Sequence, residues 1–345
     1  MSRPTLSVLI DTYNHERYIE QAIVSVLEQD FPASDMEIVV VDDGSADRTP
    51  EIVRKFAPRV RLLRKKNGGQ ASAFNAAIPE LHGEIVALLD GDDWFANGKL
   101  TAALTALEQD SNSSAVGHAY YEFHEATQEK RLRAPTKAKF LHLATPEAAR
   151  EARLGWPFLL MGALTVRRKI LERVIPIPEA LVFCGDAPII MSAMAGGTRV
   201  LAQPLSYYRH HSDNLQAVDH KNAIKMRRRS EMAETMFRVL EPLLIRLGVP
   251  SESIVELLYP GWTAESRLRL RAYGGSRLDT FHTEMRAFRL ELKNSSLRYR
   301  MFKYLLVGPA GLLLPPRRFY QARDWYAQRN LSRFRELLCK RVGMP

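Results

Sequence analysis

The chain has 345 residues, 46% apolar and 26% charged, which suits one large domain with an appendage or two domains and excludes a disordered polymer. Its two cysteines, Cys184 and Cys339, exclude a disulfide framework and a cysteine metal cage, and no run approaches the roughly 18 apolar residues of a membrane span. The net charge of +10 is lopsided, with 25 Lys and Arg against 12 Asp and Glu in residues 217–345 and 24 against 27 in residues 1–216, so a near-neutral body and a cationic tail are expected.

Met1-Ser2-Arg3-Pro4 runs straight into a strand-like segment, so no signal peptide is expected. A reducing, cytoplasmic setting is the expectation. Residues 6–10 read as a first strand. Residues 16–29 follow as a helix with Tyr18, Ile19, Ala22, Ile23, Val26 and Leu27 on one face. Residues 37–41 form a continuous β-branched run, as in a strand buried on both sides. A helix is predicted over 47–56, with Ser45 available as its cap, then a strand over 60–63. The Asn67-Gly68-Gly69 turn opens a helix over 70–78. A strand over 84–89 and a helix over 99–107 complete an alternation that indicates βαβ units around a parallel sheet.

Order is harder to read after Val116, and the polar stretch 124–153 reads as a surface excursion. Regularity returns at 156–166, in a helix over 186–195 and in a strand over 198–202. The basic part turns helical, with 226–247 its longest candidate. A boundary near 215–222 divides a body, 1–216, from a mainly helical extension, 217–345. No internal repeat is present.

Two acidic clusters, Asp42-Asp43 and Asp90-Gly91-Asp92-Asp93, each follow an apolar strand run. Carboxylates massed there cost free energy unless a cation or a hydrogen-bonding ligand sits among them. In an open α/β sheet the ligand crevice lies beyond the carboxyl ends of the strands. A divalent metal and a nucleotide are therefore expected. Asp90 and Asp92, alternate residues of an extended segment, point the same way, and hard cations take such oxygen ligands.

Taken in order, Thr12-Tyr13-Asn14, Val41-Asp42-Asp43-Gly44-Ser45, Asn67-Gly68-Gly69-Gln70, Asp90-Gly91-Asp92-Asp93 and Tyr208-Arg209-His210-His211 resemble a family 2 glycosyltransferase of the GT-A fold over roughly residues 5–215. The resemblance implies an α/β, Rossmann-like mixed sheet flanked by helices, with a C-terminal helical extension. It implies a metal-dependent, inverting transfer of sugar from a nucleotide-sugar, a UDP-sugar by preference, to a glycan or lipid-linked acceptor in cell-surface glycan or polysaccharide synthesis. Asp92 would ligate Mg²⁺ or Mn²⁺, and Asp90 would hold the ribose or a metal-bound water. Asp43 would recognise the base, bordered by Asp11, Thr12 and a stacking Tyr13. Asn67 and Gln70 belong to the turn beside the nucleotide. Many relatives place an arginine near Phe74 to meet the diphosphate; this chain lacks it, so either Lys65 and Lys66 partly compensate or the metal carries the phosphate charge alone.

An inverting transfer needs a general base at the acceptor hydroxyl. Asp186 takes the family's acidic position, where Gly185 replaces a common Glu. A helix cap would also suit it. His211 matches the family's histidine, as metal ligand or diphosphate contact, with Arg209 supporting either that histidine or the phosphates. Adjacent histidines on extended backbone face opposite ways, so His210 is not expected to join it. Trp94 and Trp156 suit either an acceptor groove or the core.

In residues 298–320, Arg298, Arg300, Lys303, Arg317 and Arg318 flank a broken apolar run. That suits peripheral contact with an anionic membrane or an ordinary helical subdomain. Nucleic acid is not an expected partner. A sugar nucleotidyltransferase would open with a Gly-rich loop after its first strand. A non-catalytic binding protein would lack the base or the metal aspartates.

Overall fold

The computed structural model describes residues 5–212, 223–291 and 308–323. The alternation of the first hundred residues becomes four parallel strands, β1 (Leu6–Thr12), β2 (Met36–Asp42), β3 (Val60–Arg64) and β4 (Ile85–Asp90), in the order β3-β2-β1-β4. Between them run α1 (Ile19–Leu27), α2 (Thr49–Arg54) and α3 (Gln70–Ala77). Leu9, Ile10, Val39, Val40, Val41, Leu88 and Leu89 are all fully buried. Helices cover both faces of such a sheet, so both side-chain sets are apolar. Each large aliphatic chain buried this way contributes roughly 1.5–3 kcal/mol.

The first helix starts three residues later than its periodicity predicts. The amides of Asn14, His15 and Glu16 donate instead to Ser45 Oγ, Thr49 Oγ1 and Asp47 Oδ2, at 2.8–2.9 Å. These bonds tie the end of β1 to the loop after β2, and both carry site residues.

The second half adds β5 (Trp94–Phe95), α4 (Lys99–Gln109), β6 (Ala115–His124), β7 (Glu129–Arg133), β8 (Lys139–Leu141), α5 (Pro146–Gly155), β9 (Thr165–Arg167), α6 (Arg168–Glu172), α7 (Asp186–Ala195) and β10 (Thr198–His210). β9 lies antiparallel between β4 and β6, β10 runs parallel to β6, and β5 pairs antiparallel with β10. The sheet is thus mixed, as the GT-A resemblance implies.

Two expectations need correction here. Residues 124–153 are not all excursion: β7 is an exposed strand on β6, but α5 buries Ala149 and Ala152, and β8 buries Leu141. Apolar stripes this narrow leave the segment reading as polar. The last strand is thirteen residues long and carries the Tyr208-Arg209-His210 run to the sheet edge. Its pairing with β6 slips on either side of Pro204, because proline has no N–H to give the ladder. The strand resumes beyond the bulge.

Lys99 is fully buried. Its ammonium donates to Thr165 Oγ1 at 2.8 Å and lies 4.1 Å from the Phe95 ring centre. Burial pulls its pKa down to about 7, while the unfolded chain keeps its value near 10.4. Between those values the unfolded state binds more protons, so stability rises with pH across that window. Lys99→Met is expected to remove that rise and to stabilise the protein at pH 7 by about 1–4 kcal/mol, checked by denaturant melts at pH 7 and 10.

The described residues form two compact units. Those up to Lys225 together with Glu234–Leu257 make one, and Met226–Ala233 with those from Leu258 onward make the other. α8 (Ala223–Arg246), α9 (Ser251–Tyr273), α10 (Arg277–Glu291) and α11 (Gly308–Leu313) supply the helices of the basic part. Within the second unit the buried Glu284 accepts from Arg267 at 2.8 Å and from Arg323 at 2.9 Å. The boundary expected at 215–222, and Arg298, Arg300 and Lys303 of the tail, lie outside the described residues. Among the described residues no helix is long and apolar enough to cross a membrane.

Candidate active site

Parallel register builds the acidic cluster directly. Asp11 pairs across from Asp90, and Thr12 from Asp42, so the carboxyl ends of β1, β2 and β4 open on one edge. Burial pushes Asp11 up to about 7, with Asp92 and Asp186 adding to the rise and Gln70 opposing it. Burial, and then Asp11, raise Asp90 well above the carboxylate range. Asp11 Oδ1 is buried and has no hydrogen-bond partner. Such a group is held at a cost that a bound cation or ligand relieves.

Asp92 behaves in the opposite way. Burial acts to raise it, but the His211 hydrogen bond and the nearby His15 outweigh that and hold it below its ordinary value. His211 Nε2 lies 3.0 Å from Asp92 Oδ2, and His15 Nε2 lies 3.8 Å from the same oxygen. His15 Nδ1 is itself 3.2 Å from Thr12 Oγ1. The turn that carries Asp92 is clamped from β10. The Arg209 amide donates to Asp93 Oδ1 at 2.8 Å, and its guanidinium donates to the Asp92 carbonyl and to Gln21 Oε1, each at 2.7 Å. The guanidinium centre also lies 4.5 Å from the Trp94 ring and 4.8 Å from the Tyr18 ring. These contacts set Arg209 to shaping the turn that carries Asp92 and Asp93. Trp94, stacked on Tyr207 at 4.7 Å, is part of the same packing.

Asp43 is 4% exposed. Its oxygens accept from Lys65 Nζ at 2.7 Å, the Gly68 amide at 3.0 Å and the Gly69 amide at 2.6 Å. Lys65 is therefore engaged at Asp43, which corrects its expected availability for a diphosphate. Tyr13 is 42% exposed at the end of β1, and Asn67 is exposed on its turn.

Gln70 links the two sides of the crevice. Its Nε2 donates to Asp11 Oδ2 at 3.4 Å, and its Oε1 accepts from the Gly185 amide at 3.0 Å. The Gln70 amide also donates to the Val182 carbonyl at 2.7 Å. A Cβ at Gly185 would come within 2.6 Å of the Ala71 amide, so this close approach has no room for the glutamate that relatives carry. It seats Asp186 at the start of α7, facing Asp11 and Asp90. Burial pushes Asp186 up to about 6. Gly69 has φ of +86°, and a Cβ there would meet Val182 at 2.6–2.8 Å. Gly69→Ala is expected to cost about 1–3 kcal/mol in a denaturant melt and to lower turnover by displacing Asp186.

The structure thus gathers Asp11, Thr12, Gln70, Asp90, Asp92, Asp186 and His211 in one crevice, with Asp43, Tyr13 and Asn67 on its β2 side and Arg209 behind it. His15, Gln21 and Phe123, whose ring centre lies 5.7 Å from the Arg209 guanidinium, carry no motif that singles them out. Only His15 left a signal, as the next residue after Thr12-Tyr13-Asn14. A hard divalent cation fits the donor set. Asp92 and His211 would hold it, with the unpartnered Asp11 oxygen and Asp90 beside it.

A mixed sheet with an acidic, ligand-ready crevice at its parallel edge is the architecture of GT-A nucleotide-sugar transferases. Residues 7–175, just under half of the chain, match the model of glycosyl transferase family 2, and this part of the chain belongs to that family. It is 33% identical over 215 residues to an uncharacterized glycosyltransferase of Nostoc sp., covering 61% of this chain and 66% of that one. It is 30% identical over 234 residues to the uncharacterized glycosyltransferase EpsJ of Bacillus subtilis, covering 64% and 65%. Poly(ribitol-phosphate) beta-N-acetylglucosaminyltransferase TarS of Staphylococcus aureus is 36% identical over 107 residues, 30% of this chain and 19% of TarS. The chain thus spans just under two thirds of the first two relatives and a fifth of the third. The crystal structure of S. aureus TarS 1-349 in complex with UDP-GlcNAc superposes with a TM-score of 0.53 at 20% identity, over 89% of this chain and 91% of that one. That likeness concerns the fold.

Proposed function

We propose that this chain transfers a sugar from a nucleotide-sugar to an acceptor hydroxyl, with inversion at the anomeric carbon, in cell-surface glycan or polysaccharide synthesis. The observation that carries this reading is the gathering of acidic groups at one crevice: Asp11 and Asp90 are paired in register, Gln70 links Asp11 to the Gly185 amide, and Asp186, the next residue, lies close enough to raise both carboxylates. A UDP-sugar is the proposed donor, since the TarS structure of the same fold holds UDP-GlcNAc.

Tyr13, exposed at the end of β1, stacks on the base. Asp43 closes the base pocket while it anchors Gly68 and Gly69, and Asn67 borders the pocket. A bound Mg²⁺ or Mn²⁺ supplies charge neutralisation at the departing diphosphate. Asp92 and His211 would hold that ion, and Asp90 would hold the ribose or a metal-bound water. Arg209 keeps the turn rigid from behind. Asp186 takes the proton of the acceptor hydroxyl as the new bond forms on the face opposite the leaving group. Burial gives Asp186 a stronger affinity for that proton than an exposed aspartate has.

The acceptor is a glycan or a lipid-linked sugar. Leu312, Leu313 and Leu314 are exposed beside Arg317 and Arg318, a combination that suits an anionic lipid surface. The test is product analysis with UDP-, GDP- and dTDP-sugars, with and without Mn²⁺. Metal-dependent release of nucleoside diphosphate from one donor class supports the reading. Release of pyrophosphate from nucleoside triphosphate and sugar 1-phosphate would assign the site to a nucleotidyltransferase instead.

A further inference from the structure

His210 packs away from Asp92, and its neighbours make a second constellation. The parallel register sets His210 directly across from His124. Glu122 lies two residues back along β6, so its side chain leaves the same face as His124. Ligand atoms of the three residues all lie within 4.8 Å of one another. The two imidazole rings are parallel to within 4°, with centroids 4.4 Å apart. Nε2 of His124 and Nε2 of His210 are both buried, and neither has a hydrogen-bond partner. Folded proteins rarely leave one such atom unsatisfied, and here two share one spot.

Glu122 is already oriented for a shared ligand. Arg133 Nη2 holds Glu122 Oε2 at 2.9 Å, while Oε1 faces His210 Nε2 at 3.7 Å. An outer partner of this kind is what fixes a metal-ligating carboxylate. Two histidines and one carboxylate are the protein ligands of a borderline divalent ion such as Zn²⁺, which leaves a fourth position for water. Ligation at the usual zinc distances of about 2.0–2.2 Å would need these side chains to rotate inward.

We propose that Glu122, His124 and His210 form a divalent-cation site of zinc type, separate from the Asp92 cluster, that staples the end of β10 to β6. Its role is structural. The residues on either side of His210 are Arg209 and His211, which clamp the Asp92 turn from the other face, so the staple fixes the strand end on which that turn depends.

The test uses the full chain, stripped of metal and titrated with Zn²⁺ by calorimetry and with Co²⁺ by absorption. One Zn²⁺ equivalent is expected to persist in Asp92→Ala. His124→Ala and His210→Ala are each expected to weaken it by about 100-fold or more, at least the loss seen when an outer-shell partner is removed. Co²⁺ at this equivalent should show the intense visible bands of a tetrahedral site, displaced by Zn²⁺. An equivalent unchanged in both histidine variants overturns the proposal, as does wild-type protein whose every bound Zn²⁺ is lost in Asp92→Ala. If the histidine variants fail to fold, the Co²⁺ spectrum of Asp92→Ala decides. Tetrahedral bands sustain the site, and their absence overturns it.

Discussion

Asp186→Asn should bind the nucleotide-sugar with unchanged affinity and transfer its sugar about 10²–10⁴-fold more slowly, the usual contribution of a positioned general base. Asparagine keeps the shape of the side chain and the start of α7, so the Gln70 link to Gly185 survives. What disappears is the group that accepts the acceptor proton. The same residue sets the acid limb of the wild-type pH profile. Burial raises Asp186 to about 6, and only its deprotonated form accepts a proton. kcat/KM should therefore fall tenfold per pH unit below about 6, about two units above where an ordinary aspartate would impose the loss. Near-normal turnover in Asp186→Asn would remove the residue from the mechanism.

The second large effect is at Asp92. Asp92→Ala should weaken metal-dependent donor binding by at least about 100-fold, since a direct ligand matters no less than the outer partners whose loss costs 10–100-fold. His211 at 3.0 Å and His15 at 3.8 Å both converge on the Asp92 carboxylate, so one substitution dismantles the ion's expected cradle. Calorimetry with nucleotide at fixed Mn²⁺ checks this. Equal affinity in the variant and in wild type would move the ion elsewhere.

Much of this arrangement is legible in the sequence, for physical reasons that differ by element. The run Ile38–Val41 is β-branched and apolar on both faces, and only a covered parallel strand accounts for it. Asp43 and Asp90 follow such runs, so the sequence itself places the sheet edge. β10 was half missed because Gln203-Pro204 reads as a strand end, whereas the bulge lets the ladder resume and carry Arg209 and His211 to the crevice.

Arg209 shows a different limit. Its residue type suits phosphate, but its surroundings come from Gln21, Trp94 and Phe123, residues 86 or more positions away whose approach no local pattern encodes. The link from Asp11 through Gln70 to Gly185 is equally silent in sequence, since its two ends are 174 positions apart. The missing glutamate at Gly185 is visible in the sequence. The backbone of Ala71, pressed against it, is the reason.

The central claim is that the crevice at the ends of β1, β2 and β4 binds a nucleotide through a metal held at Asp92. Thermal unfolding of wild type and Asp92→Ala with UDP, GDP, dTDP and CMP, each with and without Mn²⁺, tests it most directly. A ligand that binds only the native state at 100 times its Kd adds about 2.7 kcal/mol. The account predicts that Mn²⁺-dependent gain with one nucleotide, UDP first, in wild type and its loss in Asp92→Ala. No gain with any nucleotide, or a gain that needs neither Mn²⁺ nor Asp92, would contradict it.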